Sequence, residues 1–156
     1  SEGRGTTRPL EVLLGAPDLD ARAVLAEMRR LAPAWLAGCA IRECWFTPTF
    51  HKHAGHLCSG LMVHAEGRFY AHAAFRPWRL QALALKAVRR LHADYPLWRD
   101  FPYEYEFERL AIDVINGGPA LRAWVDDSAA MPADLDALAQ ADEARWREAV
   151  APLLLY

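Results

Sequence analysis

Phe46-Thr47-Pro48-Thr49-Phe50-His51-Lys52-His53-Ala54-Gly55-His56-Leu57-Cys58-Ser59-Gly60-Leu61-Met62-Val63-His64 is the stretch from which the rest of the chain is read. Apolar runs flank its loop, Ala40 to Phe46 before it and Leu61 to Ala65 after it, each of strand length. Pro48 removes a backbone donor and confines Thr47 to extended conformations, so the first strand ends there. Gly55 and Gly60 mark the turn-rich connection. The spacing predicts a strand pair, 40–47 and 59–66, holding a loop in place. Rigid supports of this kind often present functional loops. On the second strand Leu61, Val63 and Ala65 share one face, and Met62, His64 and Glu66 the other.

Working outward, Leu10 to Leu14 reads as a short strand stopped by Gly15-Ala16-Pro17. Asp18 or Asp20 can cap the helix that follows, where Val24, Leu25, Met28 and Leu31 recur at helical spacing until Pro33. After the strand pair, Gly67 is a turn and Arg68 to Ala73 a further short strand. Pro77 opens a helix striped by Leu80, Leu83, Ala84, Ala87, Val88 and Leu91, with Arg79, Lys86, Arg89 and Arg90 in solvent, and Pro96 closes it. Tyr103-Glu104-Tyr105-Glu106-Phe107-Glu108 alternates strictly, the signature of a strand with a buried aromatic face. Asn116-Gly117-Gly118-Pro119 turns into a short helix near 121–125. One or two helices follow over 132–150, and Leu153-Leu154-Leu155-Tyr156 docks on the body. Strands and helices mix without regular βαβ alternation. The expected fold is therefore α+β, a small mixed or antiparallel sheet with packed helices in one domain.

The composition narrows the function classes. Of 156 residues, 53% are hydrophobic and 24% charged, which suits a globular core rather than disorder. Basic and acidic residues nearly balance, 18 against 20, with no basic run, so neither nucleic acid nor a membrane surface is an expected partner. No apolar run approaches the ~18 residues of a membrane span. The first ten residues lack the apolar middle of a signal peptide, and with no initiating Met the chain reads as part of something longer. Cys39, Cys44 and Cys58 are an odd number at spacings that make no disulfide framework, though one pair has the option to bridge.

Four groups of residues carry candidate chemistry. His51, His53, His56 and Cys58 place zinc-type ligands close together, but no second ligand pair answers them and Lys52 adds a positive charge. No metal and no cofactor are expected. His64 inside an apolar strand is either a core histidine satisfied by a hydrogen bond or a contact to a sugar or acid. Glu104, Glu106 and Glu108 would stand about 7 Å apart on one strand face, a spacing open to a glycosidase pair but equally to a wet face. Ser1-Glu2-Gly3-Arg4-Gly5-Thr6 brackets an arginine with two glycines, which permits close backbone approach to a ligand. It lacks the lysine and spacing of a phosphate loop.

Several of these pieces, in order, resemble one family. Residues 1–11, Ser-Glu-Gly-Arg-Gly-Thr-Thr-Arg-Pro-Leu-Glu, with Gly15-Ala16-Pro17 after them, are similar to its Ser-Glu-Gly-Arg-Gly-Thr…Pro-Phe-Glu…Gly-Ala-Pro segment. Phe46 to Gly55 is similar to its Phe-Pro-Phe-Lys-Gly loop. Cys58, Gly60 and His64, then Phe75-Arg76-Pro77 and the closing Leu154-Leu155-Tyr156, fit as well. Residues 97–110 and 126–148 match only loosely. The family is the exo-β-N-acetylmuramidases of the NamZ type, formerly a domain of unknown function.

The resemblance implies a bacterial, periplasmic or secreted two-domain glycoside hydrolase that releases N-acetylmuramic acid from the non-reducing ends of peptidoglycan fragments. Residues 1–156 would be its C-terminal α+β domain, inactive alone. An N-terminal Rossmann-like domain, its partner, would carry the main catalytic acid. This chain would give one wall of the cleft between the two. The residues expected on that wall are Glu2, Arg4 and Thr6, with Lys52 and His64 behind them. Arg4 or Lys52 would pair with the lactyl carboxylate of muramyl saccharides, and Glu2 would contact hydroxyls or assist as a second carboxylate. Glu2 is expected on a free, mobile terminus. Two other classes stay open: a non-catalytic binding or scaffolding module, and a small His-rich metal-binding protein.

Overall fold

Asp20 begins the first helix because its carboxylate accepts the backbone N–H groups of Arg22 and Ala23, at 2.9 and 3.1 Å. This cap belongs to the first of two compact units in the computed structural model, which describes residues 1–100 and 102–155. The division falls between Leu97 and Trp98.

In the first unit, β1 (Val12–Ala16) is followed by α1 (Ala21–Leu31), β2 (Ala40–Phe46), β3 (Cys58–His64) and α2 (Pro77–Leu91). The three strands form an antiparallel sheet in the order β1-β3-β2. The expected strand pair is present, with Ala40 opposite His64 and Phe46 opposite Cys58. β1 lies two residues later than the sequence predicts. Leu10, at φ 70°, is in a turn and exposed, while Leu14 and Gly15 together oppose Gly60 as a bulge, Leu14 at φ 53°. The strand therefore runs through Gly15-Ala16 instead of stopping there.

The sheet has two different faces. On one, Leu61 is buried and Ser59 accepts the Ala21 N–H at 3.1 Å, tying β3 to the start of α1. Val24, Leu25 and Met28 of α1 and Leu80, Leu83 and Val88 of α2 complete this core. The other face carries Val12, Arg42, Phe46, Met62 and His64 and is met by the terminal segment 1–8.

Two further expectations fail in this unit. Lys86 is 1% exposed, not solvated, because α2 is buried almost all round from Ala82 to Val88 and offers no wet face there. The predicted strand after Gly67 is a 3₁₀ turn, Gly67–Phe69, followed by irregular chain that closes on Gly38 through the Ala71 N–H to Gly38 C=O bond.

The second unit holds α3 (Ala111–Ile115), α4 (Ala120–Asp126) and α5 (Pro132–Val150). Its core is Leu121, Trp124, Val125, Leu135 and Ala139. The Trp124 indole donates to the Met131 carbonyl at 2.8 Å, and Arg122 grips Asp113 in a fork of three bonds at 2.7–3.1 Å. The alternating segment 103–108 is not a strand. Tyr103 and Glu106 close a tight turn, and Tyr105 and Phe107 are 93% and 76% exposed. Glu106 turns inward instead, accepting from the Glu108 and Arg109 N–H groups and from the Arg109 side chain. The closing leucines do not dock either: Leu153 ends a 3₁₀ turn after α5 and is exposed, as are Leu154 and Leu155 beyond it, and Tyr156 lies outside the described residues. No described helix is long and apolar enough to cross a membrane.

Candidate functional site

The terminal segment is a built structure. Gly15 N–H donates to the Ser1 carbonyl at 2.9 Å and the Ser1 nitrogen donates back to Gly15 O, the reciprocal exchange of an antiparallel pair. Leu10 N–H bonds the Glu2 carbonyl at 2.8 Å, and Thr6 gives both its N–H and its hydroxyl to Gly3 O. Thr49 N–H reaches Arg4 O at 3.3 Å, joining the segment to the loop after β2. Only glycine fits at position 5. Its φ is +76°, and a Cβ there would lie 1.7 Å from Thr49 Oγ1.

These constraints hold Glu2, which corrects the expectation of a mobile carboxylate. Its side chain is 23% exposed. Oε1 accepts from Arg4 Nε at 2.5 Å, and Lys52 Nζ stands 3.7 Å from Oε2. Two cations against one carboxylate leave the cluster with a net charge of +1. Partial burial pushes the Glu2 carboxyl up, but its own backbone N–H, the Arg4 hydrogen bond and the charges of Lys52 and Arg4 outweigh this and hold it below the ordinary range. At neutral pH Glu2 is therefore an ionised acceptor, unsuited to donate a proton.

Lys52 is carried by a loop in a demanding conformation. His51 and His53 on either side of it have φ of 67° and 59°, each a left-handed geometry costing about 1–2 kcal/mol for a residue with a Cβ. Gly55 N–H to Pro48 O at 2.9 Å closes the turn. The histidines are exposed, and the Cys58 thiol, pushed up by burial, donates to the His56 carbonyl at 3.5 Å.

Among the described residues the histidine tract does not bring three ligand atoms together. The group that does converge is Glu11, His64 and Glu66. Arg8 already stands between its carboxylates, 2.7 Å from Glu11 and 2.6 Å from Glu66, and supplies the cation there.

His64 thus belongs to a different cluster from Glu2. Its Nε2 accepts from Arg42 Nε at 3.0 Å, and Nδ1 lies 3.8 Å from Glu66. Between this cluster and the terminal segment, on the sheet face away from the helices, lies a groove of about 310 Å³. Thr6, Thr7 and Arg8 form one side, and Arg42, Phe46 and Met62 line the other. The reading of the sequence passes over Arg42, although alternation along 40–47, paired with 59–66, already sets it on the face of Met62 and His64.

A protein-family model described as "Exo-beta-N-acetylmuramidase NamZ, C-terminal" matches residues 1–156. The chain belongs to this family. Over 111 residues it is 34% identical to the peptidoglycan β-N-acetylmuramidase NamZ of Bacillus subtilis (strain 168), an alignment covering 71% of this chain and 24% of that protein. Its fold resembles the crystal structure of a DUF1343 family protein from Bacteroides fragilis NCTC 9343, with a TM-score of 0.58 at 18% identity over 88% of this chain and 35% of that one. The chain thus spans about a quarter of the curated relative's length and about a third of the solved chain's. In this NamZ C-terminal chain the residues singled out by sequence divide. Glu2, Arg4 and Lys52 meet, Thr6 braces the turn that presents them, and His64 stands apart with Arg42.

Proposed function

We propose that this chain is the C-terminal part of a two-domain, peptidoglycan-degrading exo-β-N-acetylmuramidase and forms one wall of its inter-domain cleft. The carrying observation is the fixed, net-cationic cluster of Glu2, Arg4 and Lys52. Arg4 or Lys52 pairs with the lactyl carboxylate of a muramyl unit, and ionised Glu2 accepts from sugar hydroxyls. Glycoside cleavage generally needs a second carboxyl group, protonated to serve the leaving oxygen. Glu2 cannot fill that role beside two cations. In this reading the acid comes from the N-terminal domain, as the family resemblance implies, and this chain has an accessory part.

The test uses the full-length enzyme. Arg4→Ala lowers kcat/KM on a muramic-acid glycoside by about 1.5–3 kcal/mol, the range for a hydrogen bond to a charged group. Unchanged kinetics would remove Arg4 from the site. Residues 1–156 alone melt cooperatively but do not hydrolyse a chromogenic N-acetylmuramide. Turnover near that of the complete enzyme would place the chemistry in this chain instead.

A further inference from the structure

We infer that the groove on the outer sheet face is a carboxylate-binding subsite anchored by Arg42, with the acid group of a muramyl saccharide as its ligand. The inference rests on the muramidase reading for the ligand's identity; its geometry is independent of Glu2, Arg4 and Lys52, and a lactyl carboxylate found at Arg42 would replace the pairing with Arg4 or Lys52 given above.

Arg42 differs from its neighbours in how its charge is met. Arg8 contacts two carboxylates, Glu11 and Glu66, and Arg22 is paired with Glu43 at 3.2 Å. The guanidinium of Arg42 donates to His64 Nε2 and, through Nη1, to the Glu43 backbone carbonyl at 3.2 Å. Neither partner is a carboxylate. No carboxylate of the described residues lies within 4.0 Å of Arg42. A guanidinium has five N–H donors, so the fork retains free donors for a planar, bidentate carboxylate. His64 holds the fork in place, which reduces the ordering cost of binding.

The surroundings suit a sugar that bears the acid. The volume of about 310 Å³ is at the small end of ligand sites, the scale of one saccharide unit. Thr6 and Thr7 bring hydroxyls to one wall, and Phe46 and Met62 bring apolar surface to the other. The mixture of apolar wall, few polar groups and a guanidinium with no carboxylate in contact suits an amphipathic anion better than a neutral sugar.

The experiment is a titration of the 156-residue chain followed by the NMR signals of the Arg42 Nε–H and the Thr6 and Thr7 amides. Three ligands separate the sources of the acid. N-acetylmuramic acid carries the lactyl carboxylate, muramyl dipeptide carries its acid on the peptide, and N-acetylglucosamine carries neither. At least one muramyl ligand shifts all three signals, and N-acetylglucosamine at the same concentration does not. Whichever muramyl ligand acts identifies the acid. Arg42→Gln weakens that binding by about tenfold or more, Arg42→Lys by less, and Arg22→Gln on the opposite face leaves it unchanged. A cooperative melt of each variant guards against misfolding. Equal shifts with N-acetylglucosamine, shifts confined to Arg4 and Lys52, or full binding by Arg42→Gln would overturn the subsite. The second of these outcomes leaves the muramidase reading intact. Loss of hydrolysis in the full-length enzyme with groove binding preserved bears only on the muramidase reading.

Discussion

Replacing Gly5 by alanine tests whether the terminal segment is a rigid wall, and Gly55 provides the matched control. Both glycines have nearly the same backbone, φ +76° and +78°. A Cβ in this left-handed region costs about 1–2 kcal/mol at either position. Both changes also restrict the unfolded chain equally, so that contribution cancels. The surroundings differ. At Gly55 nothing lies within 4 Å of the added carbon, whereas at Gly5 it meets Thr49 Oγ1 at 1.7 Å, Cβ at 2.8 Å and Cγ2 at 3.1 Å. Rotation of the exposed Thr49 side chain relieves the Oγ1 contact but not the one at Cβ, which is fixed to the backbone that donates its N–H to Arg4 O. Overpacking of this kind costs about 1–3 kcal/mol. Gly5→Ala is therefore destabilised by about 1–3 kcal/mol more than Gly55→Ala in urea unfolding at constant m. Amide exchange at Thr49 and Leu10 accelerates in Gly5→Ala alone, and muramidase activity of the full-length enzyme falls with it because Arg4 loses its support. Equal midpoints and equal exchange in the two variants would refute the claim that segment and loop are locked together.

In the second unit, Asp113→Ala leaves the Arg122 fork without its acceptor, and thermal unfolding reports a loss of about 1.5–3 kcal/mol, which Asp113→Asn partly restores. Glu106 is held down to about 2 by the Glu108 N–H, the Arg109 side chain and the Arg109 N–H. Its folded value lies below its unfolded one, so its contribution is complete above the ordinary carboxylate range and fades as pH falls toward about 2; Glu106→Gln flattens stability over that window. Burial pushes the thiols of Cys39, Cys44 and Cys58 up, so all three react slowly with a thiol-specific disulfide reagent at pH 7 and promptly in urea.

The first unit was largely legible because its signals are local and agree. Pro48 ends β2, Asp20 caps α1, and Pro77 opens α2, each through backbone chemistry that no packing overrides. Errors arose where tertiary surroundings decide. Lys86 is buried because of what surrounds α2 on all sides, which a one-face helical stripe does not encode. β1 begins and ends late because Leu14 accepts a left-handed conformation to form a bulge, a state that sequence disfavours for leucine.

The segment 103–108 shows the same limit more sharply. Alternation predicts a strand only if another strand is available to pair with it. Its hydrogen bonds are instead satisfied within the turn, Tyr103 with Glu106 and the Glu106 carboxylate with two backbone N–H groups. A carboxylate two to three residues before those donors competes with a ladder, and with no partner strand among the described residues it wins. The candidate site divides along the same line. Arg4 and Glu2 could be singled out from their glycines and from resemblance, since both are local features. The fixing of Glu2 by Lys52 joins positions fifty residues apart, and the importance of Arg42 depends on which carboxylates its neighbours have already taken. Which cation is left without a contacting carboxylate is a property of the assembled face, so it became visible only once β2, β3 and the terminal segment were placed together.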